Sequence, residues 1–288
     1  MITILLATHN AEKHLEALLQ SVLGECGENV KLIIRDNFST DSTPQILARY
    51  AEVYHDKIEL CPASSIAENT ADSLFKMLEQ YNDDYFMLCE QNSVWLPKKI
   101  EKSLEIIKCA EEKHSPDTPI LIHTDTLLNS EKEKRATKAR VEFFENAPKS
   151  TGLAEAIMQN NVSGTTVMFN RALKEKLFSF PKTAEYAHWI TVVAALFGEV
   201  IHFERKTAIT FTPSRLGKLE KLKTGIETSR LFARHSVSLY RDMLSLKELK
   251  LLEAVDGLYS QRLTQRIKTV KKYGLYSNSI LKNILTFL

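Results

Sequence analysis

The segment Ile2-Thr3-Ile4-Leu5-Leu6-Ala7-Thr8-His9-Asn10 begins as an apolar run of the length of one strand and closes on polar residues. Directly behind it, residues 11–23 place Leu15, Leu18, Leu19 and Val22 on one helical face. The cycle then repeats. Lys31-Leu32-Ile33-Ile34-Arg35 reads as a second strand, Asp41-Ser42-Thr43-Pro44 as a helix start with proline in the first turn, and Gln45 to Val53 as the helix. Ile58-Glu59-Leu60 is a third strand, Glu68 to Gln80 a third helix and Tyr85 to Cys89 a fourth strand. Strands alternating with helices of this length predict an α/β fold with a mostly parallel central sheet flanked by helices. Ligands of such sheets bind at the carboxyl ends of the strands. The loops Thr8-His9-Asn10, Asp36-Asn37-Phe38-Ser39 and Glu90-Gln91-Asn92-Ser93 fall there.

After Trp95-Leu96-Pro97 the pattern predicts a helix over 98–113, a strand over 120–123 and a charged, solvated loop over 131–140. A β-rich run, Gly164 to Phe169, an apolar helix, Ala187 to Phe197, and a strand, Val200 to Phe203, follow. From about Gly217 the sequence is Leu/Lys/Arg/Glu-rich and helical in character. The expected organisation is an α/β domain over residues 1–215 and a helical C-terminal region over 216–288. Beyond Asp256 the chain carries Arg262, Arg266, Lys268, Lys271, Lys272 and Lys282 and no acidic residue, a local charge of +6. Interleaved with Leu263, Ile267, Val270 and Leu275, these cations describe a basic amphipathic helix. It suits either an anionic membrane surface or packing on the body with a solvated cationic face.

Several function classes drop out on composition. A hydrophobic content of 44% with 26% charged residues describes a globular chain, and a net charge of +2 gives no global reason to bind nucleic acid. Cys26, Cys61, Cys89 and Cys109 are scattered without metal-ligand spacing, as expected for reduced thiols. With no apolar run of spanning length and no basic n-region ahead of Ile2, a cytoplasmic location is expected. The chain has neither GxGxxG nor GxxxxGK[ST], which disfavours dinucleotide and P-loop chemistry.

The run Ile4-Leu5-Leu6-Ala7-Thr8-His9-Asn10-Ala11-Glu12, followed by Ile33-Ile34-Arg35-Asp36-Asn37-Phe38-Ser39-Thr40-Asp41-Ser42-Thr43, resembles the opening of the family 2 glycosyltransferases, which have the Rossmann-like GT-A fold. Leu88-Cys89-Glu90-Gln91-Asn92-Ser93-Val94-Trp95-Leu96-Pro97-Lys98-Lys99-Ile100 is similar to the family's carboxylate motif in its rhamnosyltransferase-like form, and residues 162–171 to its acceptor-side segment. The resemblance covers roughly Met1 to Phe211 and implies an inverting transfer of a sugar from a nucleotide-sugar donor, of UDP or dTDP type, to a glycan or lipid-linked glycan acceptor in surface polysaccharide synthesis. It also implies that Thr8, Asn10, Glu12, Asp36, Ser39 and Asp41 form the nucleotide pocket, with Asn69 a further candidate. A carboxylate such as Asp36 suits the imide N–H of a uracil or thymine.

Two blocks depart from the family pattern. Where the motif reads Asp-Gln-Asp-Asp, this chain has Glu90-Gln91-Asn92-Ser93, leaving Glu90 with help from Asn92 to hold a divalent Mg or Mn ion. The family's base Asp falls on Ala187 when the block is registered on residues 190–198, so Glu185 and His188 become the candidate general bases. These losses motivate a second reading, a catalytically inactive homologue that binds nucleotide or glycan as an assembly partner. A nucleotidyltransferase is a third, disfavoured by the lack of a Gly-rich opening loop.

Overall fold

The computed structural model describes residues 1–62, 69–130, 149–158, 162–177, 186–212, 218–258, 261 and 263–275. In chain order the elements are β1 (Ile2–Thr8), α1 (Glu12–Leu23), β2 (Val30–Asp36), α2 (Thr43–Val53), β3 (Ile58–Leu60), α3 (Thr70–Gln80), β4 (Tyr85–Glu90), β5 (Ser93–Trp95), α4 (Lys99–Glu111), β6 (Ile120–Ser130), β7 (Lys149–Ser150), α5 (Leu153–Met158), β8 (Val167–Asn170), α6 (Arg171–Lys174), α7 (Tyr186–Phe197), β9 (Glu199–Thr212), α8 (Lys218–Tyr240), α9 (Leu246–Gly257) and α10 (Leu263–Tyr273).

One sheet runs β3-β2-β1-β4-β8-β6-β9-β5, with β7 paired to β9. The first four strands are mutually parallel, and so are β6 and β9. Strand β8 is antiparallel to both β4 and β6, and β5 is antiparallel to β9. The result is a mixed α/β sheet. Its chain path leaves β1 toward β2 and returns on the other side to β4, so the crevice between the carboxyl ends of β1 and β4 is a topological switch point.

Every residue of β1 is buried, as expected for a strand covered on both faces. Ile2, Ile4 and Leu6 pack into a core built with α1, α2 and α4. Leu5 and Ala7 point to the other face, into a core built with α3, α5, α7 and the later helices. That second core is continuous into the helices after residue 216: Phe232, Tyr240, Leu252, Val255, Val270 and Leu275 belong to it. Trp189 and Tyr240, both fully buried, stack at 6.3 Å between centroids, and the Tyr240 hydroxyl donates to the Lys176 carbonyl at 2.6 Å.

Three expectations change in extent or kind. The strands expected at 120–123 and 200–203 are the first halves of the much longer β6 and β9, which pair through a register shift around Asp125 that bends the sheet. The β-rich run at 164–169 begins instead with a 3₁₀ turn, Gly164–Thr166, closed by Thr166 N–H and Oγ1 donating to the Ser163 carbonyl. Residues 93–95, read from sequence only as a motif tail, form an edge strand opposite Thr210 to Ala208. The charged stretch 131–140 lies outside the described residues. None of the described helices is long and apolar enough to cross a membrane.

Candidate active site

A cleft of about 540 Å³ opens at the carboxyl ends of β1 and β4, lined among others by Asn10, Lys13, His14, Glu90, Asn92, Tyr186 and Phe211. A smaller groove of about 340 Å³ between α4 and β9 lies away from the strand-end loops and is floored by Ile106, Ile201 and Phe203.

The first wall of the cleft is a hydrogen-bonded net between the loops after β1 and β2. Thr8 Oγ1 donates to Asp36 Oδ1 at 2.8 Å, and Asp36 also accepts from the Ser39 N–H at 2.9 Å and Ser39 Oγ at 2.6 Å. Asn10, held in the left-handed region at φ +49°, donates its N–H to Ser39 Oγ, while its side-chain carbonyl accepts from Thr40 N–H at 2.9 Å. Asparagine tolerates that conformation better than most residues. Glu12 N–H donates to Asp41 Oδ2 at 3.1 Å, and Glu12 Oε2 accepts from Ser42 N–H at 3.0 Å. Partial desolvation opposes ionisation of Asp41, but hydrogen bonds from Thr43 and the Glu12 backbone outweigh it and hold its carboxyl below the ordinary range.

Thr8, Asn10, Glu12, Asp36, Ser39 and Asp41 are therefore brought together. Thr8 is only 2% exposed and its hydroxyl is spent on Asp36, so it supports the loop and does not face a ligand. Asn69 is not part of this net. It caps α3, its side-chain oxygen accepting the Asp72 N–H at 3.0 Å, a structural task that explains the residue.

The second wall is the turn after β4. Gln91 clamps the two switch-point loops, its carbonyl accepting His9 N–H at 2.8 Å and its amide donating to the His9 carbonyl at 3.1 Å. Glu90 is gripped by three donors: Gly164 N–H and Tyr186 Oη on Oε1, each at 3.1 Å, and Ser163 Oγ on Oε2 at 3.2 Å. Gly164 leaves room for this grip, because a Cβ there would lie 2.5 Å from Tyr186 Oη and 2.9 Å from Glu90 Oε1 and would force these side chains to shift. Asn92 exchanges hydrogen bonds with the backbone of Phe211 on β9, at 2.9 and 2.8 Å. Phe211 in turn stacks on the His14 ring at 4.5 Å and 4°.

The turn that grips Glu90 is braced from below by a buried polar chain. Ser93 Oγ, fully buried, donates to the Glu90 carbonyl at 2.7 Å and meets Thr165 Oγ1 at 3.0 Å, which also accepts from Trp95 Nε1 at 3.1 Å. The Lys99 ammonium lies 5.0 Å over the Trp95 ring and donates to Thr207 Oγ1 at 2.9 Å. Lys99 is fully buried, and that burial pushes its pKa from 10.5 down to about 7.

One expectation is corrected by this geometry. His188 does not open on the cleft: it is 1% exposed, its Nε2 is 2.7 Å from the Ala156 carbonyl and its ring sits edge-on to Phe232, so an acceptor hydroxyl has no path to it. Glu185 lies outside the described residues. For a divalent cation, Glu90 is left with the neutral Asn92 and Ser93 where the family pattern has carboxylates, a weaker donor set. Hard cations such as Mg²⁺ are held by one or two carboxylates together with substrate phosphates, and among the described residues no group of three His, Cys, Asp or Glu could hold an ion. Among the described residues Glu90 is the one carboxylate lining the cleft, and Ser93 is turned into the interior.

Lys13, His14, Tyr186 and Gly164 were missed as site residues. Lys13 and His14 sit one and two residues beyond Glu12, and a helix starting there carries them over the strand ends; that signal was available. The contact of Gly164 and Tyr186 with Glu90 joins segments 74 and 96 residues apart and has no local signature.

Comparison with known proteins agrees with this architecture. The family model described as "Glycosyl transferase family 2" matches residues 3–174, more than half of the chain. EpsE of Bacillus subtilis (strain 168), provisionally named a glycosyltransferase, is 28% identical over 113 residues, 39% of either chain. The dTDP-rhamnosyl transferase RfbG of Shigella flexneri is 23% identical over 105 residues, 35% of this chain and 36% of RfbG. The alignments thus span well under half of these curated relatives. Among solved structures, TarS of S. aureus in complex with UDP-GlcNAc superposes with a TM-score of 0.62 at 16% identity, covering 94% of this chain and 80% of that one, a likeness of fold. The chain belongs to glycosyl transferase family 2.

Proposed function

We propose that this protein transfers a glycosyl group, with inversion, from a UDP- or dTDP-linked sugar to a hydroxyl of a glycan or lipid-linked glycan during assembly of a surface polysaccharide. The observation that carries the proposal is the cleft at the switch point, where the Asp36–Ser39–Asn10 loop net, the Glu90 turn and the side chains of Lys13 and His14 converge. The names of RfbG, as a dTDP-rhamnosyl transferase, and of TarS bound to UDP-GlcNAc support the donor class. A mannosyltransferase from Pyrobaculum calidifontis in complex with GDP-Man and Mn2+, of similar fold at TM-score 0.58 and 15% identity, supports a nucleotide-sugar donor.

In this reading Asp36, held rigid by Ser39 and Thr8, accepts from the base imide, and Asn10 lines the passage to the diphosphate. Glu90, held by Ser163, Gly164 and Tyr186, lines the cleft and meets a hydroxyl of the transferred sugar in this reading. The acceptor oxygen attacks the anomeric carbon from the face opposite the departing nucleoside diphosphate and must lose its proton. With His188 removed by burial, Glu185 is the assigned base; its chain neighbour Tyr186 lines the cleft. Glu185→Gln should lower turnover about 10²–10⁴-fold with donor affinity unchanged. An unchanged rate would remove Glu185 from the role.

Alanine at 187 and serine at 93, where the family pattern has carboxylates, favour one second reading, a nucleotide- or glycan-binding homologue without turnover. Absence of both transfer and donor hydrolysis across UDP- and dTDP-sugars, with nucleotide still binding, would replace the first reading by that one. The setting is proposed as cytoplasmic, at the membrane face. Val270 of α10 is buried in the core while Lys268, Lys271 and Lys272 are exposed, so the helix offers cations, not an apolar face, to anionic headgroups.

A further inference from the structure

The charge of a sugar-linked diphosphate, a dianion, has to be met by something in this cleft. For a divalent cation the donor set is thin, with Glu90 the one carboxylate lining the cleft among the described residues. Glu90, held by Gly164, Tyr186 and Ser163, has only neutral neighbours in its turn, Asn92 and a Ser93 that is 0% exposed and bonded to the Glu90 carbonyl and Thr165. On the opposite wall, α1 brings Lys13 and His14 over the same space. His14 is half-buried with its ring plane set by the stack on Phe211, while Lys13 is exposed and can reach inward on a flexible stem. An ammonium is a well-suited point-charge partner for phosphate oxygens, and charge-assisted hydrogen bonds are about twice as strong as neutral ones.

We propose that Lys13 and His14 bind the donor diphosphate directly and take the place of a divalent cation in this cleft. The inference rests on the nucleotide-sugar reading above and adds to it the means by which the leaving group is held. Lys13 meets the non-bridging oxygens as a point charge, and an imidazole N–H of His14, aligned by Phe211, donates to the same group. As the bond to the sugar breaks, negative charge grows on the departing oxygen, and Lys13 and His14, the basic groups lining the cleft among the described residues, stabilise it. The Gln91 clamp ties the loop after β1 to the turn after β4, and Lys13 and His14 line the same cleft as Glu90.

The test is calorimetric titration of UDP and dTDP, with uridine and thymidine as controls, into the full chain in EDTA and again with Mg²⁺ or Mn²⁺. The expected result is nucleotide affinity equal within about twofold in the two buffers. Lys13→Ala should weaken the diphosphates about tenfold or more while leaving the nucleosides unchanged, the size of one lost charge-assisted contact. His14→Phe, which keeps the ring stack and removes the donor, should also weaken the diphosphates selectively. Binding that needs Mn²⁺ and disappears in EDTA would overturn the inference while leaving the donor class intact. Unchanged diphosphate affinity in both variants would overturn it as well. Failure of every nucleotide to bind in either buffer would remove both the inference and the function it rests on.

Discussion

Replacing Lys99 with methionine should flatten the pH dependence of stability in a defined window. In the folded chain the ammonium is fully buried over Trp95, and its pKa is pushed from 10.5 to about 7; the neighbouring Cys89 and Glu25 pull the other way and do not compensate. The unfolded chain therefore binds more protons than the folded one between those two values. The consequence is a penalty on folding that is fully present below pH 7 and relieved as pH rises toward 10.5. The full shift is worth about 5 kcal/mol, and from pH 7 to 9, allowing for half-titration at the lower end, unfolding free energy should rise by about 2 kcal/mol. Cys26, pushed up to about 11 by burial, acts in the opposite sense once unfolded thiols ionise above pH 9, which sets the upper limit of the window. Lys99→Met keeps most of the volume, and Thr207 Oγ1 retains Thr124 Oγ1 at 2.6 Å, so no buried hydroxyl is orphaned. Urea titrations at pH 7, 8 and 9 would show a rising midpoint in the parent chain and a level one in the variant. Parallel curves would refute a buried, depressed Lys99.

Gly164→Ala should cost about 1–3 kcal/mol of stability, since the new methyl drives Tyr186 off Glu90, and turnover per folded molecule should fall with it. An unshifted melt with full activity would mean the turn is looser than its contacts indicate. Asp36→Ala should weaken nucleotide binding by roughly 1.5–3 kcal/mol, read by calorimetry on a variant shown to be folded; equal affinity would take Asp36 out of base recognition. His188→Ala should lose about 2–4 kcal/mol of stability through its cavity and the lost bond to the Ala156 carbonyl, with donor affinity intact. A selective loss of turnover at unchanged stability would reinstate it as a catalytic group. Truncation after Asp256 should abolish sedimentation with anionic liposomes, and salt should weaken it in the full chain; because Val270 and Leu275 belong to the core, the truncated chain must first be shown to melt cooperatively.

The alternation of β1, α1, β2, α2, β3, α3 and β4 was legible because each element announces itself within a dozen residues. A seven-residue buried strand, an amphipathic face at Leu15, Leu18, Leu19 and Val22, and a proline in the first turn of α2 need no distant partner to be recognised. The strand ends followed from that alternation, and with them the loops of Asp36 and Glu90. Residue identity could also show that the motif after β4 had lost two carboxylates. Tertiary contacts decided the rest. Whether His188 is a base or a packing residue depends on Phe232 and Ala156, which arrive from α8 and α5. The antiparallel insertion of β8 between β4 and β6 depends on which edges remain unpaired, and no local pattern records that. The grip on Glu90 comes from Ser163, Gly164 and Tyr186, residues 73 to 96 positions away. Local periodicity determines where the chain forms strands and helices because propensity and amphipathicity act over one or two turns; which side chains meet at the cleft is decided by the packing of distant segments, and only the folded structure contains it.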